Sequence, residues 1–130
     1  MSGGFHAKCY RNMANIFSYF NRLSVPSADV KTIRDTQTSE ERTIILDVRT
    51  PQEHDNSRIP ESMLMPLDTI VRDIERVIPD KDATIYIHCN TGIRSSHATK
   101  ILRDRGYRNA YNMTGGIFAW REAGYPVNEG

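Results

Sequence analysis

Cys89 stands where an apolar run, Thr84-Ile85-Tyr86-Ile87-His88, gives way to the loop Cys89-Asn90-Thr91-Gly92-Ile93-Arg94-Ser95 and then to a helical pattern. A cysteine at a strand end, facing loop amides and the start of a helix, meets aligned N–H dipoles that stabilise an anion. Arg94 adds a full positive charge. Magnitude decides whether this matters: a free thiol near pKa 8.5 is only about 3% thiolate at pH 7, whereas a value near 6 makes it roughly 90% thiolate. Free cysteine is also among the most buried residue types, so an isolated one reads first as a small core hydrophobe. The strand, Gly92 and Arg94 favour the nucleophile instead.

The neighbours carry two readings each. Arg94 on the rim of an anion-binding loop can hold an oxyanion with paired hydrogen bonds, or it is a solvated charge in a first helical turn. A cation beside the positive end of a helix dipole is unfavourable there and calls for a compensating anion. Gly92 gives the loop access to positive φ and lets amides turn inward. Asp47 and Arg49 end another apolar run. Asp47 is either a general base or a carboxylate that anchors its loop through backbone N–H groups, with the anchor favoured, and Arg49 pairs with Glu53 or another carboxylate. Strand alternation turns His88 away from Cys89. His97, His54 and His6 read as structural or exposed, and Trp120 with Phe118 as core packing. No metal-ligand cluster is legible, and no cofactor is called for.

The elements that must position these residues follow from periodicity. Thr43-Ile44-Ile45-Leu46-Asp47-Val48 is a β-branched run suited to a strand covered on both faces. Thr50-Pro51-Gln52-Glu53 is a capping-box pattern with proline at the first helical position, so a helix starts there and ends before Ile59-Pro60. Ser27 is expected to cap a short helix over Ala28 to Arg34, and 36–41 to form a polar loop. Met63-Leu64-Met65 is a short strand. Asp68 is expected to cap a helix that buries Ile70, Val71, Ile74, Val77 and Ile78. A further helix carries Ala98, Ile101 and Leu102, with Gly106 at its end. Arg108 to Met113 fits a last strand, and Gly115-Gly116 opens a helix over Ile117 to Ala123. Strands alternating with helices at these intervals predict an α/β sandwich with a mostly parallel sheet.

At 130 residues the chain has the size of one domain, and a net charge of +1 marks no polyanion-binding surface. Small-molecule or protein partners are expected, rather than nucleic acid or membrane. Its two cysteines, Cys9 and Cys89, lack CxxC spacing, which argues against a zinc site and a disulfide framework and for a reducing, cytoplasmic setting. Residues 1–25 read as a lead-in segment, with Asn15 to Phe20 able to form an aromatic amphipathic turn, and 26–130 as the folded domain. Lys8, Arg11 and Arg22 give this lead-in only a weak likeness to an organelle presequence.

Three ordered motifs carry a resemblance. Ile45-Leu46-Asp47-Val48-Arg49-Thr50-Pro51-Gln52-Glu53, the loop Cys89 to Ser95, and Gly115-Gly116-Ile117-Phe118-Ala119-Trp120 through Gly124-Tyr125-Pro126-Val127 resemble a single-domain rhodanese over residues 26 to 127. The resemblance implies a three-layer sandwich, a five-stranded and mostly parallel sheet with helices on both faces. It also implies a sulfurtransferase in which Cys89 carries sulfane sulfur as a persulfide, from thiosulfate or a persulfide donor to cyanide, a thiol or a thiol carrier protein. Loop residues Asn90, Thr91, Gly92, Ile93, Arg94 and Ser95 then bind substrate, with Arg94 orienting an anionic donor, while Asp47 and Arg49 support them. Ser57-Arg58-Ile59-Pro60-Glu61-Ser62 departs from the family's usual glycine and histidine run. Two other classes stay open. Cysteine phosphatases and arsenate reductases write their anion loop C-x5-R, whereas four residues separate Cys89 from Arg94, a narrower nest. A non-catalytic binding module is the other.

Overall fold

The computed structural model describes residues 24–39 and 42–130. The amphipathic turn at Asn15 to Phe20, together with Cys9 and His6, lies outside them. Strands β1 (Ser27–Ala28), β2 (Thr43–Asp47), β4 (Met63–Leu64), β5 (Thr84–His88) and β6 (Ala110–Met113) form a five-stranded sheet in the order β1-β6-β5-β2-β4, every pairing parallel. Helices α1 (Val30–Gln37), α2 (Pro51–Asn56), α3 (Ile70–Val77), α4 (Ile93–Asp104) and α5 (Gly116–Glu122) connect or follow the strands.

Alternation along the two central strands divides the core. Leu46, Ile85, Ile87 and Cys89 pack on one face with Ile70 and Ile74 of α3 and Ala98 and Leu102 of α4. Ile45 and Tyr86 pack on the other with Ile33 of α1 and Ile117 and Trp120 of α5. Parallel sheets need this double cover, because both faces of each strand are apolar. The longest ladder, β2 with β5, runs in register from Thr43↔Thr84 to Asp47↔His88, so it sets Asp47 beside His88 and one residue short of Cys89.

Several local expectations shift. Ser27 does not cap a helix: with Ala28 it pairs with Asn112 and Met113 as the sheet's edge strand, and Asp29 is the cap, its Oδ1 accepting from the Thr32 amide at 2.8 Å. That helix continues to Gln37, into the stretch expected as loop. Asp68 lies within a 3-10 turn, Leu67–Thr69, rather than capping α3, whose cap residue Thr69 makes no side-chain cap bond. Helix α3 buries Ile70, Ile74 and Ile78, a line spaced by four, and leaves Val71 51% exposed and Val77 at the surface. A short helix seated on a sheet buries a stripe narrower than its apolar residues could fill. Asn128–Glu129 (β7) pairs antiparallel with Ser57–Arg58 (β3), a small second sheet that ties the end of the chain to the exit of α2.

Candidate active site

Cys89 follows directly on β5 and its side chain is 1% exposed, on the α3/α4 face of the sheet. The next turn brings donors back to its sulfur. Gly92 N donates to Sγ at 3.1 Å and Ser95 N at 3.4 Å, and Ser95 Oγ lies 3.4 Å away. Gly92 makes the turn possible, with φ +119° at the N-cap of α4, a conformation a side chain strains to adopt. The first turn of α4 therefore aims its free amides at the sulfur, as a helix start does toward an anion.

The loop is held open from behind by α5. Ile117 N donates to Cys89 O at 3.0 Å and Phe118 N to Asn90 O at 3.2 Å, so the orphan amides of one helix fix the loop carbonyls outward. Gly116 allows this approach: a Cβ there would stand 2.5 Å from both the Cys89 and Asn90 carbonyl oxygens.

Burial pushes the Cys89 thiol up, and the Ser95 hydroxyl with the amides of Ser95, Gly92 and Thr91 outweighs it, leaving the thiol below its ordinary value. Ser95 has one hydroxyl proton for two neighbours. It donates to Asn112 Oδ1 at 2.6 Å or, when the sulfur is ionised, turns to Sγ at 3.4 Å. Asn112, on β6 and buried, is a site residue that no motif singled out.

The end of β2 holds a second polar cluster, on the opposite sheet face. Asp47 is fully buried, and its Oδ1 accepts from Arg49 N at 3.0 Å, as expected of a loop anchor. Arg49, 3% exposed, pairs with this carboxylate and not with Glu53: Nη2 reaches Oδ2 at 2.9 Å and also donates to Ser57 O at 2.6 Å. His54 Nδ1 lies 2.8 Å from Asp47 Oδ2, an informative neighbour the sequence did not offer. Burial alone would raise the Asp47 pKa, but the Arg49 guanidinium holds it below the usual range. His88 is turned away from Cys89 onto this face, and burial lowers its pKa, which favours the neutral ring. Its Nε2 stands 3.8 Å from Asp47 Oδ2, too far for a hydrogen bond.

Arg94 leans across to α2. Its Nη1 and Nη2 donate to Glu53 Oε1 and Oε2 at 2.7 and 2.9 Å, the fork-on-fork geometry of a strong pair. Glu53 is itself fixed by the expected capping box, Thr50 Oγ1 accepting from Glu53 N at 3.2 Å while Oε1 accepts from Thr50 N at 3.0 Å. Asn90 Nδ2 donates to Oε2 at 2.8 Å. Arg94 thereby holds the Glu53 carboxyl well below the carboxylate range. The compensating anion that Arg94 needs is thus internal, and the capping box was the one sequence signal that placed Glu53. Thr91 and Ile93 are exposed, and so is Phe118, which sequence patterning assigned to the core with Trp120.

A family model described as a rhodanese-like domain matches residues 29–123. A protein of Allochromatium vinosum named sulfurtransferase is 34% identical over 87 residues, 67% of this chain and 79% of that protein. Thiosulfate sulfurtransferase PspE of Escherichia coli is 31% identical over 70 residues, 54% of this chain and 67% of that one. Among solved structures, the NMR structure of the rhodanese-like domain of the Anabaena protein Alr3790 superposes with a TM-score of 0.73 at 26% identity, covering 82% of this chain and 80% of that chain.

Proposed function

This chain belongs to the rhodanese-like domain family, and from that premise we propose that residues 26–130 form a sulfurtransferase unit in which Cys89 takes up sulfane sulfur as a persulfide. The observation that carries the reading is the convergence of the Gly92 and Ser95 amides on a sulfur recessed at a strand end. Donors fixed before the reaction stabilise charge without reorganising, first on the thiolate and then on the outer sulfur of the persulfide.

In the proposed cycle the Cys89 thiolate attacks the outer sulfur of a donor. A new Sγ–S bond forms, the donor S–S bond breaks, and the electron pair leaves on sulfite when the donor is thiosulfate or on a thiolate when it is a persulfide. A thiophilic acceptor, cyanide, a small thiol or a thiol carrier protein, then attacks the outer sulfur and returns Cys89 as thiolate. Sulfur moves with no net oxidation. The amides of Asn90 to Ser95 shape the nest, and Asp47 and Arg49 stiffen the neighbouring strand end against which Asn90 rests, through the Arg49 Nη1 contact to Asn90 Oδ1 at 3.4 Å. We propose a reducing cytoplasm, which keeps a thiol free, as the setting of this chemistry. Among the described residues no helix is long and apolar enough to cross a membrane.

Intact-mass spectrometry after exposure to a sulfur donor tests the reading. The wild type gains one sulfur atom, releases it as thiocyanate to cyanide, and Cys89→Ser does neither while staying folded by circular dichroism. Absence of the added sulfur with thiosulfate, persulfide and mercaptopyruvate alike would falsify it.

A further inference from the structure

Resting on that reading, the structure points further, to the class of donor. We infer that Glu53 is a specificity-determining residue: by occupying Arg94 it withholds the loop's own cation from an incoming anion, and with the exposed Ile93 and Phe118 it selects a hydropersulfide R–S–SH whose R group is uncharged and apolar next to the sulfur.

Charge disfavours the simplest anionic donor. Thiosulfate is a dianion, and a site that prefers it must offer a cation to the sulfonate end left outside the sulfur nest. Arg94 belongs to the loop, and Arg49 touches it at Asn90. Arg49 is buried and gives its guanidinium to Asp47 and the Ser57 carbonyl. Arg94 gives both terminal nitrogens to Glu53. Each positive charge is therefore matched by a carboxylate within the chain. Glu53 cannot swing away cheaply, since four donors hold it: Thr50 N, Asn90 Nδ2 and the two Arg94 nitrogens. A dianion entering here meets a neutral, mutually satisfied pair and no free cation from it. A hydropersulfide carries at most one charge, on the terminal sulfur, and that atom belongs inside the amide nest.

What surrounds the sulfur supports the same class. Ile93 is the first residue of α4, next to the Gly92 amide that binds Sγ, and is 81% exposed. Phe118 is 56% exposed, and its own amide holds the Asn90 carbonyl. The two residues belong to the helix starts that carry and hold the loop. Both are large apolar residues left at the surface, as Val71 and Val77 of α3 also are, but only these two belong to the helix starts bonded to the cysteine loop. The carbon part of R–S–SH, which must stay outside while its outer sulfur enters, is placed against them. In the loading step Cys89 S⁻ attacks the outer sulfur, the R–S–SH bond breaks, and R–S⁻ departs with the electron pair.

Single-turnover loading of Cys89, followed by intact mass, distinguishes the donors. With benzyl hydropersulfide and thiosulfate at equal concentration, the wild type loads faster from the hydropersulfide by about tenfold or more, the scale on which apolar contacts discriminate. Glu53→Gln keeps the capping box, which glutamine also satisfies, and releases the Arg94 charge; thiosulfate loading then rises about tenfold, the order of one charge-assisted hydrogen bond. The double variant Ile93→Ser/Phe118→Ser lowers the hydropersulfide-to-thiosulfate ratio. A leucine-flanked cysteine-persulfide peptide separates the two sources of this chemistry, faster loading than from benzyl hydropersulfide assigning a protein-borne donor and slower loading a small one. Thiosulfate loading the wild type as fast as either hydropersulfide overturns the inference, as does Glu53→Gln leaving thiosulfate loading unchanged. Failure of every donor to load Cys89 instead removes the sulfurtransferase reading itself.

Discussion

The ends of β2 and β5 lie side by side, Asp47 in register with His88, yet they hold polarity of opposite kinds. At the end of β5 the sulfur is met by backbone amides and a hydroxyl, partial charges that leave the site open to an incoming anion. At the end of β2 a buried ion pair is closed upon itself, Asp47 with Arg49, and the half-buried His54 ring meets the same carboxylate. Dipoles fixed by the fold can stabilise an anion without first being released from a partner, whereas paired ions resist opening. The first arrangement suits a reacting atom and the second suits a strut.

Breaking the strut should cost the most stability. Arg49→Ala leaves Asp47 buried and without its guanidinium, and removing one partner of a buried pair costs about 3–5 kcal/mol. Thermal unfolding is expected to show a larger Tm loss for Arg49→Ala than for Gly116→Ala, Ser95→Ala or Glu53→Gln. A loss within that of an exposed pair would mean that water replaces Arg49 freely.

Gly116→Ala acts on the cradle instead. The added methyl meets the Cys89 and Asn90 carbonyls at 2.5 Å and φ is +59°, so about 1–3 kcal/mol of strain is expected. Sulfur loading should slow together with the fall in Tm, since the displaced carbonyls anchor the loop whose amides form the nest. A stable protein with unchanged loading would show that the loop is not held by α5.

The pH dependence of loading reports on the sulfur itself. With its pKa depressed, Cys89 ionises as pH rises, so the wild-type rate should climb and level off below the pH at which an ordinary thiol does. Ser95→Ala removes a donor and should move that climb to higher pH. Asn112→Ala releases the Ser95 proton toward Sγ and should move it to lower pH. Each shift is expected near one unit, because a hydrogen bond to a charged group is worth about 1.5 kcal/mol and one unit corresponds to ~1.4 kcal/mol. Shifts of the same sign in both variants would refute the shared-proton arrangement.

The smallest effect belongs to the carboxylates in acid. Asp47 and Glu53 both have folded pKa values below their unfolded ones. Their contribution to stability is therefore complete above the unfolded values near 4 and is lost as pH falls through the folded ones. Glu53→Gln should accordingly flatten the acid limb of the stability curve. An unchanged limb would show that Arg94 holds Glu53 no better than solvent does.

Much of this was legible in order and kind. The β-branched runs, the capping box at Thr50 and the Gly92 turn each rest on a local steric or hydrogen-bonding rule, and local rules act within a few residues. What failed was decided by neighbours distant in sequence. Ser27 and Asp29 are both competent caps, and only the presence of β6 as a neighbour assigned Ser27 to a strand. Phe118 has the composition of a core residue, and only the clamp of α5 on the cysteine loop turned it outward.

By itself the sequence determined that a cysteine would end a buried strand with amides and a helix start ahead of it, because strand periodicity, a permissive glycine and a helix pattern are written in adjacent residues. The tertiary structure alone decided which charges remain free around that cysteine. Glu53 and Arg94 are 41 residues apart and Ser95 and Asn112 are 17 apart, and pairings over such distances follow from sheet register and helix docking. No rule of local spacing contains them.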